Sequence, residues 1–161
     1  MYAFEVTTDS KPDLYRDLLA AIDAVTAGEP DGVANMANAA SLLWQYLPDL
    51  NWAGFYRNVG GELVLGPFMG KAACIRIPFG KGVCGAAAAT LETQLVEDVH
   101  AFPGHIACDA DSRSELVVPI VQDGVLVAVI DLDSPNPGRF DAEDAAGIAA
   151  IAQVLTDRVN G

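Results

Sequence analysis

Three cysteines, Cys74, Cys84 and Cys108, sit among glycine, lysine, histidine and acidic residues rather than inside apolar runs. Their settings are Gly70-Lys71-Ala72-Ala73-Cys74, Gly80-Lys81-Gly82-Val83-Cys84-Gly85 and Pro103-Gly104-His105-Ile106-Ala107-Cys108-Asp109. A buried cysteine behaves as a small hydrophobe. A thiol that works as a nucleophile must instead be reached by its substrate and ionised by a nearby cation or by backbone donors. Cys108 suits that need, because its loop is polar and His105 lies three residues away. The competing reading is an unreactive loop cysteine. Cys84 and Cys74 lie 24 and 34 residues before Cys108. A nucleophile and a second thiol are the minimal kit for a cycle through sulfenic acid and disulfide. Zinc is the rival use of the three thiols, but a fourth ligand and a C-x-x-C knuckle are missing, so no metal is expected.

Carboxylates form the second group. Glu115 opens the apolar run Glu115–Val121, and Asp131 and Asp133 end the next one, with Asp123-Gly124 between them as a hairpin turn. The register depends on the turn. A two-residue turn pairs Glu115 with Leu132, whereas a three-residue turn pairs it with Asp131 and puts all three acids on one face. Converging carboxylates raise one another's pKa, so one of them becomes a proton donor near neutral pH. The plainer alternative is a solvated strand end before the turn Asp133-Ser134-Pro135.

Aromatic residues form the third group. In Asn51-Trp52-Ala53-Gly54-Phe55-Tyr56, Trp52, Gly54 and Tyr56 share a strand face. They can wall a pocket for an apolar or cationic group, or simply belong to a core. The glycines of Gly80–Gly85 open a helix whose N–H groups could cradle a carboxylate, although the motif is not a phosphate-binding P-loop. His100 and His105 read as loop residues rather than ligands.

These groups need a scaffold, and its elements are legible. Ser10-Lys11-Pro12-Asp13 starts a helix that Gly28 ends. Asp31 caps a second helix, closed by Pro48. Asn51–Arg57 and Glu62–Phe68 are strands around Gly60-Gly61. Cys74–Pro78 is a strand, Gly82–Thr90 an alanine-rich helix and Gln94–Glu97 a short strand. Residues from His100 to Ser114 lack an apolar period and read as a long functional loop. Asp141 caps a last helix with the stripe Ala145, Ile148, Ile151, Leu155. This order predicts an α+β fold with a mostly antiparallel sheet. The terminal helices pack on one face, and the loop and short helix enclose a pocket on the other.

Composition sets outer limits. At 161 residues and 52% hydrophobic, the chain is expected to be a single domain, 1–161, with a sizeable core. A net charge of −13 repels phosphate backbones and anionic lipids, so no nucleic-acid or membrane role is expected. No apolar run reaches membrane-spanning length, no secretory signal is evident, and an odd number of cysteines is not a static disulfide framework; these place the protein in the cytoplasm.

The motifs together resemble one family. Asn51–Tyr56, Leu65-Gly66-Pro67-Phe68, Ile77–Gly85, Val96-Glu97-Asp98-Val99, Phe102–Asp109, Ser114–Ile120 and Asp131-Leu132-Asp133-Ser134 are similar to the free methionine-(R)-sulfoxide reductases, which are stand-alone GAF domains. The resemblance runs from about Tyr15 to the C-terminal helix, and most GAF domains lack this three-cysteine set. It implies a GAF-like three-layer fold and reduction of free L-methionine (R)-sulfoxide. Cys108 would be the nucleophile, Cys74 the resolving thiol and Cys84 an accessory one. Glu115 and Asp133 would hold and polarise the sulfoxide oxygen, Trp52 and Tyr56 would wall the methyl-sulfoxide end, and Asp131 would meet the substrate amine. It further implies no bound cofactor, NADPH-linked thioredoxin as external reductant, and a homodimer. The rival functions are a small-molecule-binding GAF module and a redox sensor without turnover.

Overall fold

The helices begin where the sequence places their caps. In the computed structural model, which describes residues 1–8, 10–105 and 110–160, α1 spans Lys11–Thr26 and α2 spans Gly32–Tyr46. Asp31 accepts a hydrogen bond from the Ala34 N–H at 2.9 Å. Ser10 makes no side-chain cap on α1. The start of that helix is fixed instead by Lys11, whose Nζ lies 2.8 Å from Asp141 and 2.7 Å from Asp144. Those two acids form a capping box on α4, Ala142–Leu155, so one cation clamps the N-terminal turns of both helices. Tyr15 adds a hydrogen bond from its hydroxyl to Asp144 at 2.7 Å. Its ring fills the space that a side chain at Gly147 would need.

Six strands form one antiparallel sheet: β1 Trp52–Val59, β2 Glu62–Gly70, β3 Arg76–Pro78, β4 Gln94–Val96, β5 Ser114–Gln122 and β6 Val125–Ser134. Their order is β3-β2-β1-β6-β5-β4. α3, Gly82–Thr90, has the bounds the sequence predicts. Two boundaries move inward or outward. β3 begins at Arg76 and leaves Cys74 in the preceding loop. The expected loop from His100 is shorter, because Val99–Ala101 is a turn of 3-10 helix and Ser114 already belongs to β5.

The hairpin register corrects both sequence alternatives. Gln122 faces Val125 across the two-residue turn Asp123-Gly124, whose φ values of 52° and 78° are those of a tight hairpin turn. A bulge between Ile120 and Val121 then shifts the ladder, so Ile120 faces Ala128 while Val121 faces Leu126. Glu115 therefore faces Asp133, neither Leu132 nor Asp131, and Asp131 faces Val117. One extra residue in β6 restores the parity that a plain two-residue turn would have broken.

The pleat divides the sheet into two faces. Ala53, Phe55, Leu116, Val118, Ile120, Ala128, Ile130 and Leu132 join α1, α2 and α4 in the larger core. Trp52, Tyr56, Val117 and Val129 join α3 in the smaller one. Among the described residues, no helix is long and apolar enough to cross a membrane.

Candidate functional site

Residues 52 to 56 and 129 to 133 run antiparallel with Trp52 opposite Asp133, Gly54 opposite Asp131 and Tyr56 opposite Val129. β5 lies on the other side of β6 and sets Glu115 against Asp133. All of these residues except Gly54 and Val129 line one pocket, together with Cys84 and Val83 from the start of α3. The pocket holds 520 Å³ of empty space, mouth included. The structure thus brings together Trp52, Tyr56, Cys84, Glu115, Asp131 and Asp133. Cys74 stands at its edge, next to the lining residues Ala72 and Ala73. Cys108, the expected nucleophile, and its expected pairing with Cys74 lie outside the described residues.

The aromatic wall is a stack. The Trp52 ring lies 5.8 Å from Tyr56 and 5.1 Å from Phe68, with interplanar angles of 22° and 14°. Gly54 makes room for it, since a Cβ there would stand 2.8 Å from the Phe68 Cα. Both polar handles are tied to the loop after β2. Trp52 Nε1 donates to the Lys71 carbonyl at 3.1 Å, and the Tyr56 hydroxyl donates to the Cys74 carbonyl at 2.9 Å. The stack therefore fixes the segment that carries Cys74.

The acids are buried. Glu115 is 6% and Asp131 5% exposed. Burial first, then the charges of Asp133 and Asp131, pushes the Glu115 carboxyl well above the usual carboxylate range. Burial likewise raises Asp131, against hydrogen bonds from Glu115 and Cys84 that favour its charged form. The Asp131 Oδ1 atom has no hydrogen-bond partner. Cys84 is a free, buried thiol with its Sγ 3.9 Å from Glu115 Oε1. Burial and the neighbouring acids push it far up, so it stays a thiol at neutral pH. Cys74 differs: it is half-buried and disulfide-bonded.

The sequence pointed to His105 only as a neighbour of Cys108, and it did not point to Ser112 or Lys71 at all. His105 Nε2 lies 3.8 Å from Glu115 Oε2. Burial lowers the imidazole pKa and raises that of the acid, so both shifts work against an ion pair here. Ser112 is buried at the pocket and accepts a hydrogen bond from Asn51 at 3.0 Å, tying the segment that leads into β5 to the start of β1. Exposed Lys71 pairs with Asp111 at 2.8 Å, joining two loops beside the mouth. The sequence signal for the first was the polar loop around His105; Ser112 and Lys71 carry none.

Comparison with known proteins places this geometry. Residues 35–158 match the family model of the GAF domain. The chain is 49% identical to the free methionine-R-sulfoxide reductase of Escherichia coli over 146 residues, covering 91% of this chain and 88% of that protein. It is 44% identical to the enzyme of the same name from Saccharomyces cerevisiae, covering 91% and 86%. Its fold matches the X-ray structure of free methionine-R-sulfoxide reductase from Neisseria meningitidis in complex with its substrate, with a TM-score of 0.94 and 45% identity over 99% of this chain and 96% of that one. The chain belongs to the GAF domain family, among its free methionine-R-sulfoxide reductases.

Proposed function

We propose that this protein reduces free L-methionine (R)-sulfoxide to methionine with thiols as the reductant. The observation that carries the reading is the convergence of three carboxyl groups and a stacked aromatic wall in one pocket. A free amino acid sulfoxide offers an ammonium group, a polar S–O bond and a small apolar end. Asp131 supplies negative charge for the ammonium, and Glu115 with Asp133 holds the S–O oxygen. Trp52 and Tyr56 supply a flat apolar wall for the methyl-sulfoxide end. The opening turn of α3, at Lys81-Gly82-Val83, supplies N–H groups for the carboxylate.

The chemistry follows from the acids and thiols. The Cys108 thiolate attacks the sulfoxide sulfur while Glu115, with Asp133, delivers a proton to the oxygen. That attack forms an S–S bond between Cys108 and the substrate; the protonated oxygen then passes to the Cys108 sulfur as the S–O and S–S bonds to the substrate sulfur break, so methionine leaves with the electron pair and Cys108 is left as sulfenic acid. Raising the Glu115 pKa by burial keeps it protonated where a solvated glutamate would be ionised. The Cys74 thiol then attacks the sulfenic acid, releasing water and forming a Cys74–Cys108 disulfide. Cys74 being disulfide-bonded while Cys84 is free supports Cys74 as the resolving thiol. A dithiol protein of the thioredoxin type, fed by NADPH, reduces the disulfide and closes the cycle. No bound cofactor enters this scheme, which suits a single-domain cytoplasmic protein working as a homodimer. Thioredoxin-coupled NADPH oxidation with each epimer of free L-methionine sulfoxide tests it. Turnover with R and none with S is expected. No turnover with either, by folded and reduced protein, would leave a binding or redox-sensing GAF domain.

A further inference from the structure

Cys84 has no step in the scheme above, yet it points into the same buried cluster as two acids. One ligand atom each from Cys84, Glu115 and Asp131 lies within 4.8 Å of the other two. These residues are 31 and 47 positions apart, on α3, β5 and β6, so no sequence spacing announces them. Zinc binds thiolate at about 2.3 Å and carboxylate at about 2.0 Å, which puts sulfur and oxygen about 3.5 Å apart at a tetrahedral angle. The Cys84 Sγ to Glu115 Oε1 distance of 3.9 Å needs only a small inward movement to match. A second observation points to a cation. Asp131 is 5% exposed, lines the pocket, and its Oδ1 has no hydrogen-bond partner. A buried carboxylate oxygen with no donor is a place where a positive group is missing.

We propose that Cys84, Glu115 and Asp131 form a site for a borderline-soft divalent cation, zinc above all. Thiolate with two carboxylates favours zinc or cobalt over magnesium and calcium, which take oxygen-rich sets. Binding exchanges protons for the metal: the Cys84 S–H proton and any proton on the two carboxyls leave, and no electron moves. The fourth position faces the pocket and takes water. The site needs neither Cys74 nor Cys108, so a disulfide there leaves it intact. Because the same acids face the substrate pocket, an occupied site excludes methionine sulfoxide; this consequence alone rests on the function proposed above.

Cobalt(II) titration of the protein prepared without reductant tests the site directly. We expect one cobalt per chain, with a thiolate-to-cobalt charge-transfer band that zinc bleaches. Cys84→Ser should abolish the band. Asp131→Asn, which keeps the thiol and serves if the first variant misfolds, should weaken cobalt binding at least about tenfold. No band on folded wild-type protein, or a band that survives in folded Cys84→Ser, overturns the proposal. Competition separates it from the function. Cobalt bound but not displaced by methionine sulfoxide leaves the cation site standing and counts against the substrate pocket. Turnover of the sulfoxide by a protein that binds no cobalt does the reverse.

Discussion

The two faces of the sheet are built from alternate residues of the same strands, and they obey different rules. Toward α1, α2 and α4, β6 offers Ala128, Ile130 and Leu132, all fully buried against other apolar side chains. Toward α3 it offers Val129, Asp131 and Asp133, the last two beside Glu115 in the pocket. The first face gains stability from every buried carbon. The second buries carboxyl groups at a cost that only a ligand or a proton offsets. Adjacent residues such as Asp131 and Leu132 thus serve opposite ends, and the stable face carries the strain of the reactive one.

The sharpest way to break this contrast is at the thiols. Cys108→Ser should abolish turnover without shifting the melting temperature of the reduced protein. Cys74→Ser should release about one methionine per chain and then stall, read as a burst without a steady state. Next comes Glu115→Gln, which removes the proton donor but keeps the shape. Turnover should fall about 10²- to 10⁴-fold, the span typical of general acid catalysis. The sign with pH is fixed by the raised carboxyl: wild-type kcat should decline as pH rises through the Glu115 value, and the variant should lose that limb. Stability follows the same sign, because a folded-state pKa raised above the unfolded one contributes below the unfolded value and is lost as pH rises through the folded value. Glu115→Gln should therefore be more resistant to urea than wild type at pH 8.

On the other face, Leu132→Ala should cost about 2–5 kcal/mol in urea unfolding, since it empties a fully buried site. Its kcat/KM at 25 °C should stay within a few-fold of wild type as long as the protein remains folded. A large catalytic loss there with unchanged stability would erase the division between the faces. The smallest effect belongs to Lys71→Ala. Its ion pair with Asp111 is two-thirds exposed on both sides, so stability should change by less than about 1 kcal/mol.

How far the sequence could be read also divides by face. Caps are local, so Asp31 and Asp141 marked α2 and α4, and glycine and alanine marked α3 with its observed bounds. The continuous apolar run from Leu116 to Val121 marked β5 as a strand but not which of its faces the helices cover; the fold puts Leu116, Val118 and Ile120 there. The pocket was harder. Trp52 and Tyr56 read equally as core or as wall until Gly54 proved to admit the Phe68 stack. The pairing of Glu115 with Asp133 depends on a bulge beside Ile120, which tertiary packing sets and turn chemistry does not reveal. Ser112, Lys71 and the approach of His105 to Glu115 come from loops that only the folded chain brings together.

The roles of the three thiols are decided by a single turnover of the reduced protein with free L-methionine (R)-sulfoxide, no reductant added, with methionine and remaining thiols counted together. About one methionine per chain is expected, with two of the three cysteines consumed and Cys84 the thiol that an alkylating agent labels after unfolding. Absence of methionine, or labelling of Cys74 with Cys84 consumed, would contradict these roles.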